Sequence, residues 1–190
     1  EFIEMHGGRH HRFKRGYKNV IDEAKRLNDE GVYSPLAIET SGHAALKENY
    51  FLDDGAYLVT RILISVAKGE NVRDLISGLK TPAEEGEVRL PFADGADFKA
   101  LGERVLRDLK TAAADEGLSV AEKNYEGVRI LFGKGRGDGW ALVRMSLHEP
   151  IMPVNFESNV KGGMAVIAKT LYSLLGKYDF LKADPLKKFF

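Results

Sequence analysis

Apolar and polar positions change rhythm several times along the chain, and each change marks an element. Over residues 18–29 the apolar side chains Val20, Ile21, Ala24 and Leu27 recur at helical spacing with charges between them. Gly31 is placed to stop that helix. Before it, residues 1–5 read as the tail of a helix closed by Gly7 and Gly8, and 10–13 as a short strand. Residues 35–38 are short and mostly apolar, the pattern of a buried strand. Residues 44–50 predict a second strand, with Thr40, Ser41 and Gly42 as the turn between them. Asp53 and Asp54 stand where an N-cap belongs, ahead of an apolar helix over 56–67. A shorter helix is expected over 72–79. Residues 80–86, Lys-Thr-Pro-Ala-Glu-Glu-Gly, carry no periodicity and read as a linker.

Beyond the linker the pattern changes. A strand over 87–92 leads into an amphipathic helix over 97–116. Strand candidates follow at 118–123, 128–132, 140–145 and 153–157, and a helix over 163–175 closes the run. Strand, helix, several turn-linked strands and a helix make an α+β domain with an antiparallel sheet packed on helices. The region before it, with two or three short strands, reads as an α/β partial domain: a mixed sheet with helices, missing its start. The expected division is 1–80 and 81–190.

Composition narrows the partners. With 28 basic and 28 acidic side chains in 190 residues, no overall field draws the chain to nucleic acid or an anionic membrane. The lack of cysteine excludes disulfide and thiolate chemistry and fits a reducing, cytoplasmic setting. No apolar run approaches the roughly 20 residues of a membrane span. The first residue is Glu1 and no charged-then-apolar leader follows, which suggests a processed or excised piece of something longer.

Three segments carry candidate chemistry. Glu39-Thr-Ser-Gly-His43 gathers a carboxylate, two hydroxyls and an imidazole around a glycine turn. Glu39 can accept two sugar hydroxyls, Ser41 can donate or accept, and Gly42 lets backbone approach a ligand. The same five residues also suit a polar hairpin turn that satisfies its own backbone. In Arg144-Met-Ser-Leu-His-Glu-Pro150 an Arg fork and the Ser146 hydroxyl share one face of a strand end, a reasonable phosphate cradle. His148 can add a donor. The alternative is an edge-strand Arg paired with Glu149 or solvent. Arg9-His-His-Arg-Phe-Lys-Arg-Gly-Tyr-Lys18 is the most basic stretch. It suits either a nucleic-acid or protein partner or a glycine turn presenting Gly16 and Tyr17 to a phosphosugar. Gly133-Lys-Gly-Arg-Gly-Asp-Gly139 precedes a strand rather than a helix, so it reads as a hairpin loop and not as a nucleotide phosphate loop. Asp53 and Asp54 could meet a cation, but N-capping accounts for them.

Together these segments resemble the C-terminal half of the α-D-phosphohexomutases, the phosphoglucomutase/phosphomannomutase family. Glu39-Thr-Ser-Gly-His43 is similar to the sugar-binding loop Gly-Glu-x-Ser-Gly-His of that family's third domain, and Gly16–Tyr17 to its glycine followed by His or Tyr. Arg144-Met-Ser-Leu-His-Glu-Pro150 is similar to the phosphate loop Arg-x-Ser-Asn/Gly-Thr-x-Pro of its fourth domain. Ile38 stands in place of the usual glycine, and Leu147 and His148 in place of Asn or Gly and then Thr. The resemblance implies a sugar site of Gly16, Tyr17, Glu39, Ser41 and His43, and a phosphate site of Arg144, Ser146, Leu147 and His148. It implies a hexose phosphate or bisphosphate as ligand, an interconversion of hexose 1-phosphate and hexose 6-phosphate through a phosphoserine, and no role for nucleic acid or membrane.

The family's catalytic serine loop, Thr-x-Ser-His-Asn-Pro, and its magnesium loop, Asp-x-Asp-x-Asp, have no counterpart here. The resemblance therefore implies that catalysis and Mg2+ reside in N-terminal domains outside this chain, and that the chain alone is inactive. A non-catalytic phosphosugar-binding module is the alternative.

Overall fold

The short helix α1 (Phe2–Met5) ends at Gly7 and Gly8, whose N–H groups bond back to Glu4 and Ile3. The structure is a computed structural model and describes residues 2–146 and 149–190. The periodic segment at 18–29 becomes α2 (Tyr17–Asp29), which buries Ile21, Ala24 and Leu27 along one face. That face meets β1 (Leu36–Ile38), which pairs antiparallel with β2 (Ala44–Leu46). Ile21, Ala24, Ala37 and Ala45 form the small core of this region.

Two expectations change here. No strand forms over 10–13, where the backbone is irregular. That segment is tied by a side chain instead, because His11 Nε2 lies 2.9 Å from a Glu23 carboxylate oxygen on α2. The second strand stops at Leu46 because a turn of 3-10 helix follows and Tyr50 and Phe51 adopt left-handed backbone, with φ of 54° and 55°. Helix α3 (Gly55–Ala67) is apolar yet buries no residue fully, and Val59, Ile62, Leu63, Ile64 and Val66 stay exposed. A single-turn helix, α4 (Val72–Leu75), capped by Asn71, ends the region.

By its own contacts the chain divides into two compact units, Glu1–Lys80 and Thr81–Phe190. The second is built on a five-stranded antiparallel sheet in the order β3-β7-β6-β5-β4. Its strands are β3 (Glu84–Pro91), β4 (Ser119–Val120), β5 (Gly127–Phe132), β6 (Gly139–Arg144) and β7 (Ile151–Ser158). Strand β3 begins within the segment that lacks periodicity, because Glu84, Glu85 and Gly86 pair with Ser158, Glu157 and Phe156. Alternate residues of each strand point one way, so Val128, Ile130 and Phe132 share a face with Ala141, Val143, Val154 and Phe156.

Helices α5 (Phe98–Asp115) and α6 (Gly163–Leu175) cover that face with Val105, Leu109, Ile167 and Leu171. A 3-10 helix over Asp184–Phe189, a segment without apolar periodicity, adds Leu186 to the core. The opposite face of the sheet carries Glu87, Arg89, Arg129, Trp140, Arg144 and Asn155, and ends at the β6–β7 connection.

Candidate functional site

The turn at 39–43 closes on its own backbone. Glu39 N–H bonds to His43 O at 2.9 Å, and Gly42 N–H to Glu39 O at 2.9 Å. Gly42 has φ of 93°, a conformation that a side chain would strain. The segment is thus a hairpin turn that satisfies its own backbone, with polar groups projecting from it. Glu39 is half-buried, whereas Thr40, Ser41 and His43 face solvent.

Gly16 forms the N-terminal boundary of α2 and Tyr17 is its first residue. The fold carries this pair to the turn, because the Tyr17 ring stacks on the His43 imidazole with centroids 4.9 Å apart and planes at 28°. His43 Nδ1 lies 2.7 Å from Asp53 Oδ2. Asp54 alone caps α3, accepting from Tyr57 N–H at 2.9 Å. The two adjacent acids thus have separate tasks, which the sequence did not distinguish. Four of the five sugar-site candidates, Tyr17, Glu39, Ser41 and His43, lie at one turn or stacked on it, and Gly16 adjoins them.

In the second unit Arg144 ends β6, and its Cα passes over Gly127 of β5. A Cβ on Gly127 would lie 2.1 Å from Val143 O and 2.8 Å from the Arg144 Cα, so only glycine admits this approach. Among the described residues Arg144 Nε is buried without a hydrogen-bond partner, as is Asn155 Oδ1. An unsatisfied buried donor is costly, so its presence calls for an acceptor.

Glu87 lies within the electrostatic reach of Arg144. Its carboxyl is held below the usual range first by the Asn155 amide, which donates to it at 2.8 Å, then by Arg89 and the field of Arg144. Ser146 begins a tight connection: its N–H bonds to Ile151 O at 3.1 Å, and its hydroxyl oxygen accepts from Glu149 N–H at 3.2 Å. Leu147 and His148 lie outside the described residues, so their assignment rests on sequence.

Among the described residues no group of three or more His, Cys, Asp or Glu is placed to hold a metal ion. No helix among them is long and apolar enough to cross a membrane.

Comparisons with known proteins agree on one family. Residues 1–81 match the model of phosphoglucomutase/phosphomannomutase, alpha/beta/alpha domain III. A phosphomannomutase/phosphoglucomutase of Pseudomonas putida is 29% identical over 159 residues, covering 83% of this chain and 31% of that protein. Its counterpart in Pseudomonas syringae is 29% identical over 177 residues, covering 92% and 35%. The chain thus spans about a third of the length of these curated relatives.

A crystal structure of a phosphoglucomutase/phosphomannomutase family protein from Burkholderia thailandensis superposes with a TM-score of 0.67 at 23% identity, over 94% of this chain and 35% of that one. At that identity it speaks for the fold. The resemblance read from the two loops agrees with these matches: the chain is similar to phosphoglucomutase/phosphomannomutase proteins, through domain III over residues 1–81 and through the curated relatives over most of its length.

Proposed function

We propose that this chain, whose residues 1–81 match the model of phosphoglucomutase/phosphomannomutase domain III, supplies substrate recognition for a phosphohexomutase and leaves phosphoryl transfer to domains outside it. In this reading Glu39, Ser41 and His43, with Gly16 and Tyr17, bind sugar hydroxyls. Arg144 and Ser146, with the Leu147 amide and His148, grip a phosphate group.

The complete enzyme interconverts hexose 1-phosphate and hexose 6-phosphate. A phosphoserine donates its phosphoryl group, and the bisphosphate turns over before returning the other. The binding groups must therefore serve one sugar in two opposite orientations. Hydroxyl-seeking groups suit this, because ring hydroxyls are present in both poses. Magnesium and the catalytic serine belong to the domains outside this chain, which are its expected partners.

The observation that carries the reading is Arg144 Nε, buried and without a partner among the described residues. A phosphate oxygen would satisfy it with a charge-assisted bond, stronger than a neutral one.

The test is an NMR titration of the chain with glucose 1,6-bisphosphate. Shifts are expected at Arg144 and Ser146 and at 39–43. A site holding part of the contacts would bind at about millimolar, near −4 kcal/mol. Arg144→Ala should weaken the response at Ser146 at least about tenfold, the loss of one charged hydrogen bond. An unchanged titration in that variant would refute the phosphate assignment.

A further inference from the structure

The contact between His43 and Asp53 asks for more than a polar turn requires. One acid is enough to cap α3, and Asp54 does so, also lying 3.3 Å from the Asn49 amide through Oδ2. Asp53 is left to His43, ten residues earlier, at 2.7 Å. Its backbone is held in place by a bridge to Ala45, and Asp54 N–H bonds to Ala44 O at 3.2 Å. On the imidazole face sits Tyr17. Stacking fixes the plane of the ring, and the carboxylate fixes its rotation.

An ionised carboxylate can only accept a hydrogen bond, so Nδ1 must carry the proton. In the neutral ring Nε2 then presents a lone pair. We propose that Asp53 is a positioning residue that holds His43 in the Nδ1–H tautomer, so that Nε2 accepts a hydrogen bond from a ligand hydroxyl. A phosphate monoester dianion, the form present at pH 8, has no proton to donate and would meet the negative charge of Asp53, so the same pairing selects a sugar O–H over such an anion at this turn. The inference rests on the reading of 39–43 as a sugar loop, which the tautomer measurement below does not need.

The experiment is two-bond 15N–1H correlation on the full chain with labelled histidine rings, at pH 8, which reads the tautomer of each of its five histidines. His43 is expected as Nδ1–H. In Asp53→Ala the ratio of Nδ1–H to Nε2–H should fall at least about tenfold, the loss of one charged hydrogen bond. Asp54→Ala should lower the thermal midpoint and leave that ratio alone. A wild-type His43 in the Nε2–H form overturns the proposal, and so does a ratio indifferent to Asp53→Ala. The hydroxyl half is read by adding ligand. Glucose 1,6-bisphosphate should shift His43 Nε2 and sulfate alone, an anion with no proton at this pH, should not. A shift with sulfate alone overturns the hydroxyl assignment. No shift at 39–43 with the sugar, in a chain that shows the Nδ1–H tautomer, overturns the sugar-loop reading and leaves the Asp53–His43 pairing standing.

Discussion

Glu23 lies on the buried side of α2, where an unpaired carboxylate would be untenable. Arg26 donates to it through Nε and Nη2, each at 2.8 Å, and His11 approaches at 2.9 Å. The Arg26 bonds hold its pKa down to about 2 from 4.5, against the opposing effect of burial, and His11 adds to them. A depressed folded pKa stabilises the protein fully above the unfolded value of 4.5 and loses that contribution as pH falls toward 2. Thermal midpoints followed on α2 amides should therefore drop between pH 5 and 2, and Glu23→Gln should flatten that drop. Parallel slopes in the two proteins would show that Glu23 is not the group responsible.

Other single residues differ in how readable they were. Arg144 and Ser146 are visible in sequence as an Arg-x-Ser at a strand end, but the burial of Arg144 Nε is not. His11 and Glu23 did not stand out, since nothing local predicts a bond across 12 positions. Asp53 and Asp54 looked interchangeable, and only the three-dimensional position of His43 separates them.

Helix α6 shows how one element completes another. Its N-terminal boundary is Gly162, which has no side chain to offer, so its first N–H groups need an acceptor from elsewhere. Glu84, at the start of β3, provides it: Gly162 N–H donates at 2.8 Å and Met164 N–H at 2.9 Å. Those two bonds pull the Glu84 carboxyl below its usual pKa. Glu84→Ala should fray the first turn of α6, seen as faster hydrogen exchange at Met164 while amides near Leu171 keep their protection. Equal exchange in variant and parent would deny Glu84 this role.

Helices were the most legible elements. The expected 163–175 is α6 to the residue, and α2, α3 and α5 differ by a residue or so at an end. A helix reports itself through a period in its own residues. A strand depends on its neighbour, which is why Glu84, Glu85 and Gly86 gave no sign of pairing with β7, and why residues 10–13, with no strand beside them, form none.

At the scale of the whole molecule the two units are unequal in what holds them. The second has a continuous core from Val88 to Leu186, with Leu90, Ile130, Phe156 and Leu171 essentially inaccessible. The first has a packed cluster of only four buried residues, Ile21, Ala24, Ala37 and Ala45, around α2 and the β1–β2 ribbon. Local stability follows buried apolar contact, so hydrogen exchange should give the sheet of the second unit the slowest amides and the first unit much faster ones. Residues 81–190 expressed alone should melt cooperatively. A broad, non-cooperative transition would count against an independent second core.

The fold class was readable at this scale because the change from helix-rich to strand-rich pattern falls near the boundary. The number of buried residues in each unit was not, because hydrophobicity in sequence does not say what will cover it.

Helix α3 shows what that means in a test tube. Its Leu63 is 61% exposed and Val59 55%, and the balance of 28 basic and 28 acidic groups gives no net repulsion between molecules. Modest ammonium sulfate should bring such a protein out of solution, since excluded salts strengthen the pull between uncovered apolar surfaces. It should also cling to phenyl resin and to plastic, and keep best when cold, dilute and in low salt.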